Sequence, residues 1–214
     1  NKDFATTADE RLQNACAEVI TATIETDTFL SNFKKRSLHN AYILDSAIDI
    51  LNEAVAAYAK MAKAGSFRQI ASELAFGKDT RLTPRISFST PEAVKVGLKG
   101  IIDRIDCADI NGRQVALIFD YKRKPQSFSW SRFYHALDMQ LAIYMLALAG
   151  ARVAGRKIDS VAGAFYIPVE AELLKGVFTD LRRQPDKFTH KAKGIFNGRF
   201  ANNLDSEIEL SLIH

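Results

Sequence analysis

The dipeptide Asn111-Gly112 separates two apolar-rich runs, VKVGLKGIIDRIDCADI and RQVALIFDYK. A two-residue type I′ turn needs positive φ at both central positions, which Asn and Gly tolerate best, so the stretch predicts a β-hairpin. Such a turn also sets the register. Ile110 faces Arg113, Asp109 faces Gln114, and, with no bulge between, Asp103 falls directly across from Asp120. Counted from the turn, these two form a non-hydrogen-bonded pair, the kind with Cα atoms about 4.5 Å apart. Opposed like charges destabilise a sheet. Three things can compensate: a proton shared by the two acids, a bridging divalent cation, or Lys122, which shares Asp120's face at i, i+2. Carboxylate oxygens favour Mg²⁺ or Mn²⁺ over zinc.

Elsewhere the hydrophobic period changes twice. A helix is expected from about Glu10 to Ile24. A second, long helix carries Leu44, Ala47, Ile48, Leu51, Val55, Tyr58 and Ala62 on one face and ends near Gly65. The run from Phe67 to Phe76 reads as a strand. After Pro125 comes a loop, then an amphipathic helix from Ser131 to Ala149, then a strand from Ser160 to Val169. A basic, partly helical stretch runs from Leu181 to Phe200. The order helix, strand, hairpin, helix, strand predicts an α/β fold with a mixed sheet, the last strand reached by a helical crossover.

The 214 residues suffice for an ample core, and a formal charge of +4 is compatible with a polyanionic partner. Cys16 and Cys107 form no C-x-x-C pair, and His39, His135, His190 and His214 are scattered, so local spacing assembles no zinc or iron–sulfur site. Both cysteines read as reduced core residues of a cytoplasmic protein. The longest apolar run, around Leu141 to Gly150, is too short for a bilayer. The first residue is Asn, as in an excised or processed piece. No phosphate-binding G-x-x-x-x-G-K-[ST] loop is present.

Gln140 and Tyr144 stand four apart on the predicted helix, on the face of Leu137 and Leu141. A buried glutamine needs partners. Spacing favours a satisfied core amide bonding a strand end. The functional alternative is support of the acid–lysine site or contact with substrate.

GIIDRID (100–106), IFDYK (118–122) and QLAIY (140–144) together resemble the PD-(D/E)xK nucleases. Within them the sequence is most similar to the RecB-like nuclease domains of the AddB subunits of bacterial ATP-dependent helicase–nucleases. SELAFG (72–77) and GAFYIPV (163–169) resemble the segments flanking these motifs, and the likeness covers roughly residues 42–200. It implies a restriction-endonuclease-like core, a mixed β-sheet flanked by helices. The chain is expected to divide into an N-terminal helical segment (1–40), a nuclease core (41–170) and a basic, partly helical extension of the same domain (171–214). The activity implied is metal-dependent hydrolysis of DNA, exonucleolytic and in recombinational repair, with a helicase subunit of the AddA type as partner.

By matching position, Asp103 and Asp120 would hold Mg²⁺ or Mn²⁺, with the backbone carbonyl of Tyr121 completing the sphere and Glu73 a candidate further ligand. Lys122 would orient the attacking water and stabilise charge on the phosphate, while Gln140 and Tyr144 match the Q-x-x-x-Y motif that shapes the site. The cysteines that bind an iron–sulfur cluster in such domains have no counterparts in Cys16 and Cys107, so no cluster is expected here. His39 does not match the family's early metal-binding histidine.

Arg123, Lys124, Trp130 and Arg132 offer cations and an aromatic face to a nucleic acid. Arg182, Arg183, Lys187, Lys191, Lys193 and Arg199 read rather as a solvated helix face, and Asp106 and Asp109 as hairpin and surface residues. Two other readings stand beside the nuclease. One is a DNA-binding or structural module that keeps the fold without cleavage, against which the intact Asp103, Asp120 and Lys122 argue. The other is an unrelated enzyme with a metal-free carboxylate dyad, against which the spacing of Gln140 and Tyr144 argues.

Overall fold

Asn111 and Gly112 both adopt left-handed φ, 54° and 75°, as the hairpin turn requires. The Asp109 carboxylate closes the turn by accepting from the Gly112 amide at 2.9 Å. From there β4 (Gly100–Ile110) and β5 (Arg113–Lys122) pair without a shift from Ile110–Arg113 to Arg104–Phe119. The regular pairing ends there, one step short of Asp103 and Asp120.

The computed structural model describes residues 9–77, 87–173 and 188–204. Helices α1 (Asp9–Thr26), α2 (Thr28–Arg36) and α3 (Leu38–Ala64) open the chain. α2 was not legible in the apolar period. Its boundaries are polar ones: Asp27 caps the Leu30 amide at 2.9 Å, and Ser37, extended at the end of α2, caps the Asn40 amide of α3 at 3.1 Å. β1 (Arg68–Phe76), β2 (Ser87–Ser89) and β3 (Lys95–Gly97) precede β4. The single strand expected from Val94 to Ile110 is thus two, β3 pairing with β2 and β4 with β1 and β5.

After β5 come α4 (Trp130–Tyr134), α5 (Gln140–Leu148), the β6 (Arg152–Val153) and β7 (Arg156–Lys157) hairpin, and β8 (Ser160–Pro168). The expected single helix from Ser131 to Ala149 is broken at Ala136, whose φ is 56°. Leu137 therefore sits in the linker and is 66% exposed, not on the apolar face of a helix. β9 (Glu172–Leu173), β10 (Phe188–Thr189), β11 (Lys193–Phe196), a 3₁₀ turn at Gly198–Phe200 and α6 (Ala201–Leu204) follow. Lys193 thus lies in a strand rather than on a helix face. Arg182, Arg183 and Lys187 lie outside the described residues.

The central sheet has the order β1-β4-β5-β8-β11. β1 with β4, β4 with β5, and β8 with β11 are antiparallel, and the sheet is mixed. Two compact units separate. One is drawn from Asn1–Lys63, Arg123–Pro125 and Pro168–Lys191, the other from Ala64–Lys122, Gln126–Ile167 and Ala192–His214. In the first, Tyr58 donates its hydroxyl to the Pro168 carbonyl at 2.8 Å. In the second, α5 packs Leu141, Tyr144, Ala147 and Leu148 against Ile105, Cys107, Ala116 and Ile118 of the hairpin. Cys107 is buried, as expected. Cys16 is only half-buried, because the face of α1 that carries it is partly solvated.

Asp106 is not a surface residue, as its charge had suggested. It is 3% exposed, because Arg104, two positions away on the same face of β4, grips both its oxygens at 2.7 and 2.6 Å. The Arg104 guanidinium in turn lies 5.3 Å over the Phe119 ring, which stacks on Phe165. A buried charge that loses its partner is strongly destabilising. Asp106→Ala is therefore expected to lower stability by about 3–5 kcal/mol. Replacing both members (Arg104→Met with Asp106→Leu) should recover most of that loss, as read by urea denaturation.

Candidate active site

Asp120 is the last inward-facing residue of β5 before Lys122, and it is 2% exposed. A carboxylate so placed loses its hydration, and its proton affinity rises above that of an ordinary aspartate. Burial is the main cause, the charge of Asp103 adds to it, and Lys122 opposes it. Lys122 lies on the same face. Its Nζ stands 2.5 Å from Asp120 Oδ2 and donates to Gln140 Oε1 at 3.0 Å.

The side chain of Gln140, the first residue of α5, ties the two together. Its Nε2 donates to Asp120 Oδ1 at 2.7 Å and to the Tyr144 hydroxyl at 2.9 Å. The amide can point only one way. An ammonium has no acceptor and a carboxylate no donor, so Oε1 must meet Lys122 and Nε2 must meet Asp120. Gln140 is therefore a satisfied amide at a strand end and also the support of the acid–lysine pair, so the two readings of its spacing describe one arrangement. The Tyr144 phenol is buried, edge-on to Phe76 at 5.9 Å. Burial, then the nearby Asp120 and Asp103 charges, keep it protonated.

Asp103 lies one residue beyond the regular pairing. Its Oδ2 accepts the Tyr121 backbone N–H at 2.9 Å, so its carboxylate reaches across to β5 where the ladder leaves off. It is half-buried, and its charge is felt at both Asp120 and Tyr144. Buried Asp120 Oδ2 has no well-directed hydrogen bond and only the close ammonium as a charge partner among the described residues. Two carboxylates at one sheet end are hard oxygen donors of the kind that fit a divalent cation.

Among the described residues, no group of three or more His, Cys, Asp or Glu side chains gathers to hold a metal. The protein would supply two carboxylates, leaving coordination positions for backbone and water, as Mg²⁺ prefers. Glu73 does not join the pair. By register it sits opposite Asp103, between the pairs Ser72–Arg104 and Leu74–Ile102, but its φ is 50° and its side chain is exposed.

Tyr121 is 37% exposed at the end of β5. Arg123 and Lys124 are exposed, and Arg123 pairs with Glu170 at 2.8 Å. Trp130 is 58% exposed at the start of α4, with Phe128 and Phe133 packed edge-on against it, and Arg132 is exposed on the same helix. Two neighbours of the site escaped the sequence reading. The Lys122 ammonium lies 5.3 Å over the Tyr166 ring, and Tyr166 donates its hydroxyl to Asp138 at 2.7 Å. A tyrosine inside an apolar strand, needing a partner for its hydroxyl, was the signal available.

The family model of the PD-(D/E)XK nuclease superfamily matches residues 3–209. Its members generally use divalent metal ions. The chain is 32% identical over 168 residues to the B-type subunit of the ATP-dependent helicase/deoxyribonuclease of Desulforudis audaxviator, covering 78% of this chain and 14% of that protein. The same-named protein of Symbiobacterium thermophilum is 32% identical over 130 residues, covering 59% of this chain and 10% of its own length. The chain thus spans about a seventh or less of these curated relatives. With the match across nearly its whole length, and with Asp103, Asp120 and Lys122 drawn to one sheet end, the chain belongs to the PD-(D/E)XK nuclease superfamily.

Proposed function

We propose that this chain is a metal-dependent deoxyribonuclease domain that hydrolyses phosphodiester bonds at the Asp103–Asp120–Lys122 site. The observation that carries this reading is the Gln140 amide, which holds Asp120 and Lys122 in one arrangement and leaves Asp120 Oδ2 without a directed hydrogen bond. Asp103 and Asp120 would hold Mg²⁺ or Mn²⁺ together with the Tyr121 carbonyl. When bound, the cation supplies a water of lowered pKa and positive charge beside the phosphate. Lys122 would orient that water and offset charge developing on the phosphate oxygens. Gln140 fixes the lysine, and Tyr144 fixes Gln140. Trp130 stacks on a base, and Arg132, Arg123 and Lys124 contact phosphates.

The relatives' name joins a helicase to a deoxyribonuclease. We infer, from the family resemblance as well, an exonuclease module within residues 41–170 of such a complex. It would act in recombinational repair in the cytoplasm, with a helicase subunit of the AddA type as partner. Among the described residues, no helix is long and apolar enough to cross a membrane.

Linear single- and double-stranded DNA should be cut with Mg²⁺ or Mn²⁺ and not with EDTA. Asp120→Ala should abolish cutting, and Lys122→Ala should slow it about 10²- to 10³-fold. Cleavage in EDTA, or cleavage surviving in a folded Asp120→Ala protein, would overturn the reading. A folded protein with no activity under any condition would favour a non-cleaving DNA-binding module.

The buried carboxylate has a stability consequence. Its native proton affinity lies above that of an ordinary aspartate, whose pKa is 3.8. This group therefore favours folding below that value, and the advantage is lost as pH rises through the raised one. In metal-free protein Asp120→Asn should melt above wild type at neutral pH. The gap should close as pH falls toward 3.8, and added Mg²⁺ should raise the wild-type Tm alone.

A further inference from the structure

Lys122 makes a third contact besides those to Asp120 and Gln140. Its ammonium lies 5.3 Å over the face of Tyr166, within the range in which a ring quadrupole attracts a cation. Tyr166 is fully buried on β8, and its hydroxyl donates to Asp138 Oδ1 at 2.7 Å. Asp138 lies two residues before Gln140, in the linker that leads into α5. That end of α5 has no side-chain cap of its own, because Met139 stands at the N-cap position. The Tyr166–Asp138 bond therefore pins the start of α5 to the sheet. It does so two residues from the amide that holds the lysine.

We propose that Tyr166 and Asp138 are positioning residues for the nuclease site: the phenol ring seats the Lys122 ammonium from below, and the phenol–carboxylate bond fixes the turn that brings Gln140 to it. Neither residue touches the reacting atoms. A phenol donating to a carboxylate also becomes a richer π-donor, which tightens the seat under the ammonium. Burial first, and then the Asp138 carboxylate, keep that phenol protonated. The inference deepens the nuclease reading above and rests on it for its kinetic arm.

The test is a mutant cycle. Tyr166→Phe keeps the ring and removes the bond to Asp138, Asp138→Asn weakens the same bond from the other side, and Tyr166→Leu removes the ring. With Mn²⁺ and linear DNA, Tyr166→Phe and Asp138→Asn should each lower kcat roughly tenfold, the size of one lost charge-assisted hydrogen bond, with KM unchanged. Their joint effect should be no larger than either alone. In a Gln140→Ala background Tyr166→Phe should cost nothing further, because the lost bond acts through the placement of that amide. Additive losses in that background, or a KM effect without a kcat effect, would overturn the proposal.

A second readout does not need cleavage. The Lys122 side-chain ammonium resonance, assigned by its loss in Lys122→Ala, should shift in metal-free Tyr166→Leu as the ring current disappears. If it does not move, the ring does not seat the lysine. If wild type fails to cut DNA while this resonance shifts, the nuclease reading fails and the positioning contact stands.

Discussion

A single primary amide organises the working end of this sheet. Gln140 presents its oxygen to an ammonium and its nitrogen to a carboxylate, and the chemistry of those two partners leaves the amide one orientation. Without it, Asp120 would be a buried carboxylate with one cation at one oxygen. With it, the acid and the lysine are held as neighbours, yet one carboxylate oxygen lacks a directed hydrogen bond. The position of α5 along the sheet matters for this reason: its first residue is the one that reads both charges. Leu141, Tyr144, Ala147 and Leu148 bury the rest of α5 in the core and so carry Gln140 to its place.

The two faces of the hairpin treat buried charge in opposite ways. On one, Arg104 and Asp106 pair through two short bonds, and the guanidinium also reaches the Tyr121 hydroxyl and the Phe119 ring. On the other, Asp120 carries the Lys122 ammonium at one oxygen and feels the charge of Asp103, whose own carboxylate takes the Tyr121 amide. The first arrangement is closed and suits a structural role. The second is open, and burial together with the charge of Asp103 raises the proton affinity of Asp120.

Much of this was legible in the sequence, but not all of it for the reasons first available. The Asn-Gly turn predicted the register from Ile110–Arg113 onward, and that register holds as far as Arg104–Phe119. It does not reach Asp103, where the side chain takes the Tyr121 amide at the end of the ladder. The helix period suggested one element from Ser131 to Ala149, because apolar residues recur on both sides of Ala136. Nothing in that period marks a left-handed φ at an alanine. Asp106 looked solvated because an isolated acid is, and its pairing with Arg104 becomes evident only when strand alternation is read for charges as well as for apolar residues.

By itself the sequence determined which residues could meet: the turn chemistry set the strand pairing, and the order of motifs set the family. The spacing of Gln140 and Tyr144 put them on one side of a helix. Only the tertiary structure decided what those residues do to one another. Gln140 is 20 positions from Asp120 and 18 from Lys122 in the chain, and no local propensity specifies a bond over that distance. The packing of α5 against the hairpin brings the amide within 3.0 Å of both, and β8, the sheet neighbour of β5, sets the buried Tyr166 ring against the lysine. Long-range contacts of this kind follow from burial of the apolar face as a whole, and they cannot be read from any one segment.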